Sequence, residues 1–346
     1  IKNKMSEIKW GIIGLGNIAF EFASAFKEIK NSKLLGIASK DTVRLDKFKK
    51  HFEIDKNYCF LSYGDLIKNK EIDIVYIALP HNFHFEWINK CIDSKKNILS
   101  EKPATINLSQ IKTINQKLNK SNIFFAEGFM YSYHPQLSKL IEILNEKTIG
   151  EIIAMESSFG VNIVEKKNFL GFKKIKINEK SRLFKKELAG GCILDLGCYP
   201  TSLSVLISKI KSNRLNDNFK INKSKILMGP TNVEIEASAQ IEFQNEFKSL
   251  VKCSFRENLG ELTKIIGSKG EIIIPHSWKC KPSKILVNSK EYNLDYLYKN
   301  IFSYEIEAIS NFITNKKKDP EFPAINRFET EVNMRILEKW INTNEN

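Results

Sequence analysis

The chain carries six cysteines but no CxxC pair, and five histidines but no HExxH. Cys59, Cys91, Cys192, Cys198, Cys253 and Cys280 stand at intervals that match no metal-ligand spacing. A protein metal site is therefore not expected. The cysteines read as small buried residues of a reducing compartment. Long apolar runs are missing too. None approaches the roughly 20 residues that span a bilayer, and the run at residues 10–15 is too short for a signal peptide. These absences point to a cytoplasmic protein with no membrane partner. Internal repeats and long low-complexity tracts are also lacking. Residues 1–4 precede Met5, a candidate start, and are set aside as a tail.

Acidic charge is in deficit: 40 Asp and Glu stand against 54 Lys and Arg, a net +14. A nucleic-acid binder would gather that excess beside a recognition motif. Here the basic pairs at Lys166-Lys167, Lys173-Lys174 and Lys185-Lys186 and the triplet at 316–318 are short and separate. No nucleic-acid partner is expected; one would betray itself by steeply salt-dependent affinity. The charge still suits an anionic substrate or a phosphorylated cofactor. With 42% hydrophobic and 27% charged residues the composition is that of a soluble globular protein. At 346 residues, two domains are the default.

Apolar runs over residues 8–14, 34–38, 72–79, 97–100 and 123–126 alternate with helix-spaced segments over 17–29, 42–51, 83–94 and 108–119. Strands alternating with helices give a parallel, doubly wound sheet with right-handed crossovers. After one more helix at 135–145 the pattern changes. Residues 234–243 set Ile235, Ala237, Ala239, Ile241 and Phe243 against Glu236, Ser238, Gln240 and Glu242. Such period-two alternation suits an antiparallel sheet with one polar face. Residues 151–159, 250–256, 271–274 and 285–287 read as further strands, 304–313 and 330–342 as closing helices, and 166–188 and 209–225 as polar connections. The expected fold is α/β. A parallel-sheet domain spans 5–126, an α+β domain with a mainly antiparallel sheet spans 127–325, and a C-terminal helix at 326–346 packs back on the first domain.

Gly14-Leu15-Gly16-Asn17-Ile18-Ala19 follows a strand and opens a helix. The first glycine permits a tight turn, the second lets a pyrophosphate approach backbone amides at a helix N-terminus, and Ala19 allows close packing. The tip of the second strand selects the cofactor. Ser39 and Lys40 occupy it and Arg44 lies one helical turn on, so a hydroxyl and two cations suit the 2′-phosphate of NADP. Asp41 keeps NAD possible, since an acid at this place binds a ribose hydroxyl. Glu101-Lys102-Pro103 sits just past the fourth long strand, at the carboxyl edge where such sheets bind ligands. Pro103 restricts Lys102, which aims its ammonium. Downstream, the segment at 190–199 places Asp195 and Tyr199 four residues apart, on one face if it is α-helical.

These pieces, with Ala78-Leu79-Pro80 and His84 and with Glu127-Gly128-Phe129-Met130-Tyr131, occur in an order that resembles the Gfo/Idh/MocA oxidoreductase family over residues 8 to 205. The resemblance implies an N-terminal Rossmann domain, a C-terminal domain with an open antiparallel sheet, sheet-mediated oligomers (a homodimer or homotetramer) and NAD(P). It also implies cofactor contacts from Gly14, Leu15, Gly16, Asn17, Ile18, Leu79, Pro80, His84, Glu101 and Lys102, beside Ser39, Lys40 and Arg44. Much of the family has histidine where this chain has Tyr199. Tyrosine there is similar to the glucose–fructose oxidoreductase, dihydrodiol dehydrogenase and NADP xylose dehydrogenase branch. Ser132 departs from that branch, which has arginine, and so puts one cofactor or substrate contact in doubt.

Chemistry follows from residue type. A free phenol has a pKa of about 10, and a nearby ammonium from Lys102 would favour the phenolate. Tyr199 then suits removal of a hydroxyl proton while hydride leaves the same carbon for a nicotinamide. Asp195 suits a hydrogen bond from a substrate hydroxyl. The expected catalytic residues are Lys102, Tyr199 and Asp195, and the expected substrate is a sugar, polyol or related cyclic alcohol. Alternatives are a ketosugar reductase on a nucleotide-linked or glycan-precursor sugar, and a silent dinucleotide-binding regulator. His134, paired with Pro135, reads as structural.

Overall fold

The computed structural model describes residues 7–167 and 173–343. The candidate start at Met5 and residues 168–172 of the 166–188 connection lie outside the described residues. The chain forms two compact units. One draws on residues up to Thr105, Ser109–His134 and Tyr296–Arg327; the other on Ile106–Leu108, Pro135–Asp295 and the chain from Phe328.

The first unit alternates β1 (Ile8–Ile13), α1 (Asn17–Ala25), β2 (Ser32–Ala38), α2 (Thr42–His51), β3 (Cys59–Phe60), α3 (Tyr63–Lys68), β4 (Ile74–Ile77), α4 (His81–Asp93), β5 (Asn97–Glu101), α5 (Leu108–Asn119) and β6 (Phe125–Gly128). Its six-stranded sheet runs β3-β2-β1-β4-β5-β6, and every pairing is parallel. The order reverses between β1 and β4, and a ligand crevice opens at the carboxyl ends of such strands. The short pair β3 and α3 has too few apolar residues to show as periodicity and was not foreseen. An aromatic cluster lies in the largely aliphatic core: Phe22 stacks on Tyr76 at 3.8 Å and meets Trp10 at 5.6 Å. A fully buried Phe contributes roughly 1.5–3 kcal/mol.

The second unit begins with α6 (Pro135–Asn145) and β7 (Ile152–Gly160). A two-stranded ribbon, β8 (Glu165–Lys167) with β9 (Lys173–Ile175), occupies part of the expected polar connection. Then come α7 (Cys198–Ser212), β10 (Phe219–Met228), β11 (Glu234–Phe243), β12 (Lys248–Ser254), β13 (Thr263–Gly267), β14 (Gly270–Ile274), β15 (Lys284–Val287) and β16 (Lys290–Asn293). The eight-stranded sheet runs β10-β11-β12-β7-β13-β14-β15-β16. Only β12 with β7 is parallel; the other neighbours are antiparallel. The alternation in β11 reports burial as expected, with Ile235, Ala237, Ala239, Ile241 and Phe243 inside. Most of β10 was hidden in the second expected connection because Lys220, Lys223 and Lys225 stand at exposed positions along it.

Two helices close the chain, α8 (Ile301–Thr314) and α9 (Arg327–Asn342). α8 belongs to the first unit, where Trp10 Nε1 donates to Ser310 Oγ at 3.0 Å. From Phe328 on, the chain groups with the second unit. The reason lies in its contacts with α7. Asn333 donates to the Cys198 carbonyl at 3.3 Å, and Lys209 pairs with buried Glu329 at 2.7 Å. Among the described residues, the helical stretch Lys186–Ser212 is long and apolar enough to cross a membrane by length and composition; its apolar 18-residue window is 94% buried within the protein.

Candidate functional site

In the first unit the glycine turn closes where β1, β2 and β4 meet. Gly14 N–H donates to the Ala38 carbonyl at 3.2 Å, and Ala78 N–H to the Ile13 carbonyl at 2.9 Å. Gly14 has φ +88°, and a Cβ there would lie 2.5 Å from the Ala78 carbonyl oxygen, so only glycine fits. At Gly16 a Cβ would meet nothing within 4 Å. Gly16 also caps α1 without any side chain on the exposed amides. An open cradle of amides at a helix N-terminus is what a pyrophosphate requires. The residues present therefore fit a dinucleotide, with Leu15, Asn17 and Ile18 along the same turn and Ala19 fully buried behind it.

At the tip of β2, Ser39 is buried and its hydroxyl accepts the Asp41 N–H at 3.1 Å. Asp41 caps α2: one carboxylate oxygen takes the Arg44 N–H at 3.1 Å and the other pairs with Arg44 Nε at 3.2 Å. The acid that kept NAD open is thus engaged by α2 itself. Lys40 is exposed, and the Arg44 side chain is 61% exposed despite its pairing.

Pro80 caps α4, which begins at His81. His84 is fully buried. Its Nε2 lies 2.7 Å from the Leu79 carbonyl oxygen and its Nδ1 2.8 Å from the Pro103 carbonyl oxygen. Carbonyls only accept, so both bonds form fully when both ring nitrogens carry protons. His84 thereby ties the turn after β4 to the turn after β5. Glu101, at the end of β5, is buried and accepts the Tyr76 hydroxyl. Lys102 follows it, half-buried, with a cis peptide to Pro103. Ser132 is buried in a short 3-10 turn, and its hydroxyl donates to the Phe129 carbonyl at 2.8 Å.

In the second unit Asp195 and Tyr199 are both buried. The expectation that they share one α-helical face needs correcting. Residues Ile193–Gly197 form a π-helical turn, and the α-helix begins only at Cys198. Such turns carry an extra residue and gather at functional sites. Backbone crowding accompanies it here: a Cβ on Gly197 would lie 3.0 Å from the Trp340 ring and 3.3 Å from Cys253 Sγ.

The preceding glycines have their own geometry. A Cβ on Gly190 would stand 2.5 Å from the Leu183 carbonyl oxygen, and one on Gly191, at φ +116°, would stand 2.0 Å from Glu234. Gly191 N–H donates to the Leu183 carbonyl at 2.9 Å. This docks the turn at Arg182–Phe184 against the site segment, and Arg182 Nη2 reaches Asp195 Oδ1 at 3.1 Å. Tyr199 meets the Phe159 ring at 5.3 Å and the Trp278 ring at 5.5 Å. Trp278 is fixed by its indole N–H on the Ser158 carbonyl at 3.1 Å. Arg182, Phe159 and Trp278 were missed from sequence. Arg182 lies in a lysine-rich stretch that nothing marks out, and the two aromatics are 119 positions apart.

Among the described residues, no group of three or more His, Cys, Asp or Glu side chains is arranged to hold a metal ion. Burial pushes the His134 imidazole down to about 4, and its ring packs on Tyr304 at 4.9 Å.

A glycine-turned parallel sheet with an open amide cradle defines a dinucleotide-binding protein of the Rossmann class. Comparison with known proteins agrees. The family described as "Oxidoreductase family, NAD-binding Rossmann fold" matches residues 8–129, and the GFO/IDH/MocA C-terminal domain matches residues 137–273. The chain belongs to the Gfo/Idh/MocA family and is an NAD(P)-dependent oxidoreductase. It is 27% identical over 290 residues to a trans-1,2-dihydrobenzene-1,2-diol dehydrogenase of Xenopus tropicalis, covering 83% of this chain and 81% of that one. Its fold matches a 3-ketoreductase from Actinomadura kijaniata, solved with NADP and TDP-benzene, with TM-score 0.80, 19% identity and 96% of each chain covered. It also matches an aldose-aldose oxidoreductase from Caulobacter crescentus complexed with glycerol, with TM-score 0.82, 17% identity and 97% of each chain covered.

Proposed function

We propose that the enzyme is an NADP-preferring dehydrogenase that interconverts a hydroxyl and a carbonyl on a sugar, polyol or related cyclic alcohol. The observation that carries this reading is the site segment: a carboxylate, Asp195, held at 3.1 Å by Arg182, four residues from a phenol walled by Phe159 and Trp278. When bound, the nicotinamide supplies the hydride acceptor or donor. In this reading Tyr199 Oη takes or returns the hydroxyl proton, Lys102 supplies the cation that favours the phenolate, and Asp195 accepts a hydrogen bond from a neighbouring substrate hydroxyl. The aromatic wall keeps water from the phenol and offers a flat face to a ring. The substrate class is supported by the diol dehydrogenase relative and by the glycerol-bound aldose oxidoreductase. A screen of purified protein against aldoses, polyols and cyclic diols, read by NADPH absorbance in both directions, tests it. Silence on every member would refute it and favour the dinucleotide-binding regulator.

A second reading, reduction of a nucleotide-linked ketosugar, is favoured by the net charge of +14 and by the likeness to a 3-ketoreductase solved with TDP-benzene. Nucleotide-linked ketosugars belong in the same screen.

We also propose a cytoplasmic homodimer or dimer of dimers. The cysteine pattern supports a reducing compartment. Across the sheet of the second unit, Leu250, Glu156, Lys264, Ile273 and Leu286 align in register, and Leu250 is 47% exposed. A partly apolar row of this kind on an open sheet suits a second copy. Light scattering should give at least twice 39.9 kDa at micromolar concentration; a lone monomer mass refutes the assembly.

A further inference from the structure

One peptide plane beside Lys102 is gripped on both edges. The bond joining Pro103 to Ala104 presents its carbonyl oxygen to His84 Nδ1 at 2.8 Å and its N–H to Glu127 Oε1 at 2.8 Å. His84 and Ala104 are fully buried, and Glu127 is 2% exposed. Ala104 lies past the end of β5, so its amide has no sheet or helix to occupy it. Glu127 sits on β6 opposite Ser100 of β5, so the sheet fixes where its carboxylate begins. An acceptor on the N–H edge and a donor on the C=O edge together resist rotation of the plane. A charge-assisted bond of the carboxylate kind is about twice as strong as a neutral one.

We propose that Glu127, working with His84 through this peptide, is a positioning residue for Lys102. The proposal rests on the role given to Lys102 above. The peptide group three bonds from the Lys102 carbonyl carbon is held by side chains from β6 and α4, which leaves the ammonium a narrowed set of directions. Misplacement of a catalytic group by about 1 Å can cost up to about a hundredfold in rate. Glu127 itself need touch neither cofactor nor substrate.

Three measurements test this on the full-length protein. In the wild type, the Ala104 amide should exchange with deuterium at least about tenfold slower than its neighbours outside β5, although it belongs to no strand or helix. Rapid exchange would overturn the clamp without any variant having to fold. In Glu127→Ala that protection should be lost and kcat should fall about tenfold or more, while KM and the Kd for NADP stay within about threefold. Glu127→Gln keeps an acceptor oxygen and should restore protection and most of the turnover; equal losses in both variants would overturn the positioning role. Lys102→Met, measured alongside, separates the two levels. A crippled Lys102→Met with a fast Glu127→Ala overturns this inference alone, whereas a fully active Lys102→Met overturns the role of Lys102 and this inference with it.

Discussion

Arg182 Nη2 stands 3.1 Å from Asp195 Oδ1, and the two residues are held together by glycines rather than by helix periodicity. Gly190 lets the backbone of Arg182 and Leu183 approach the start of the site segment, where the Gly191 N–H donates to the Leu183 carbonyl, and the guanidinium follows. The Asp195 side chain is 12% exposed and that of Arg182 41% exposed, so the pair lies between a surface and a buried ion pair. Arg182→Ala should cost about 1 kcal/mol of stability, in the range between exposed and buried pairs. It should raise the substrate KM several-fold, because Asp195 loses the group that orients it. NADP affinity should not move. A substrate KM equal to the wild type's would show that Asp195 needs no such support.

Cofactor choice follows from how Asp41 is occupied. Its carboxylate caps α2 and pairs with Arg44, so it is poorly placed to take a ribose hydroxyl, while Lys40 is exposed beside it. NADP should bind at least about tenfold more tightly than NAD, worth about 1.4 kcal/mol or one charge-assisted contact. Lys40→Asp should narrow or reverse the ratio. Equal dissociation constants for the two cofactors in the wild type would defeat the assignment.

Much of this was legible in the sequence, for reasons that differ by element. α2, α5, α6 and β11 were read with the bounds they adopt, because their periodicity runs uninterrupted between clear turn residues. The first-unit sheet followed from apolar strands too strongly patterned to be anything else. β10 was lost because an edge strand needs few apolar positions, and Lys220, Lys223 and Lys225 mask its alternation. At the site, residue types were readable and geometry was not. Nothing in local spacing tells Ile193–Gly197 to form a π turn, and the neighbours that crowd Gly197 there, Trp340 and Cys253, come from elsewhere in the chain. Arg182, Phe159 and Trp278 are brought to the segment by tertiary contacts, which no window of the chain contains.

His134 links burial to acid stability. Its imidazole is held down to about 4 by burial, against about 6.5 when unfolded. The unfolded chain binds a proton from about pH 6.5 downward, and the folded protein takes none until about pH 4. His134 therefore stabilises the fold fully above pH 6.5 and progressively less as pH falls toward 4, by about 3 kcal/mol in all. Glu305 acts with the opposite sign. Burial, then the charge of Glu101, raises its carboxyl well above the usual range, so it disfavours the fold as pH rises above the unfolded value. The signal of His134 is thus the difference between two proteins. His134→Phe keeps a ring against Tyr304 and should flatten the loss between pH 6.5 and 4 in denaturant titrations. Parallel curves for wild type and variant would exclude this contribution.

Tyr199→Phe removes one hydroxyl and keeps the ring against Phe159 and Trp278, so the fold and the aromatic wall survive. If Tyr199 is the acid and base, turnover should fall about a hundredfold or more, the usual scale of such catalysis. NADP affinity should change little, because the pyrophosphate is assigned to the turn at Gly14–Gly16. Lys102→Met should also cut turnover, and any residual activity should peak at higher pH, since the phenol loses its cation. The rival assignment makes Lys102 the base and Tyr199 an aligning group. Tyr199→Phe would then mainly raise KM and leave the pH profile in place. The two are separated by single-turnover rates measured across pH with the best substrate from the screen. A Tyr199→Phe enzyme with a native chemical step would end the case for Tyr199, whatever its KM.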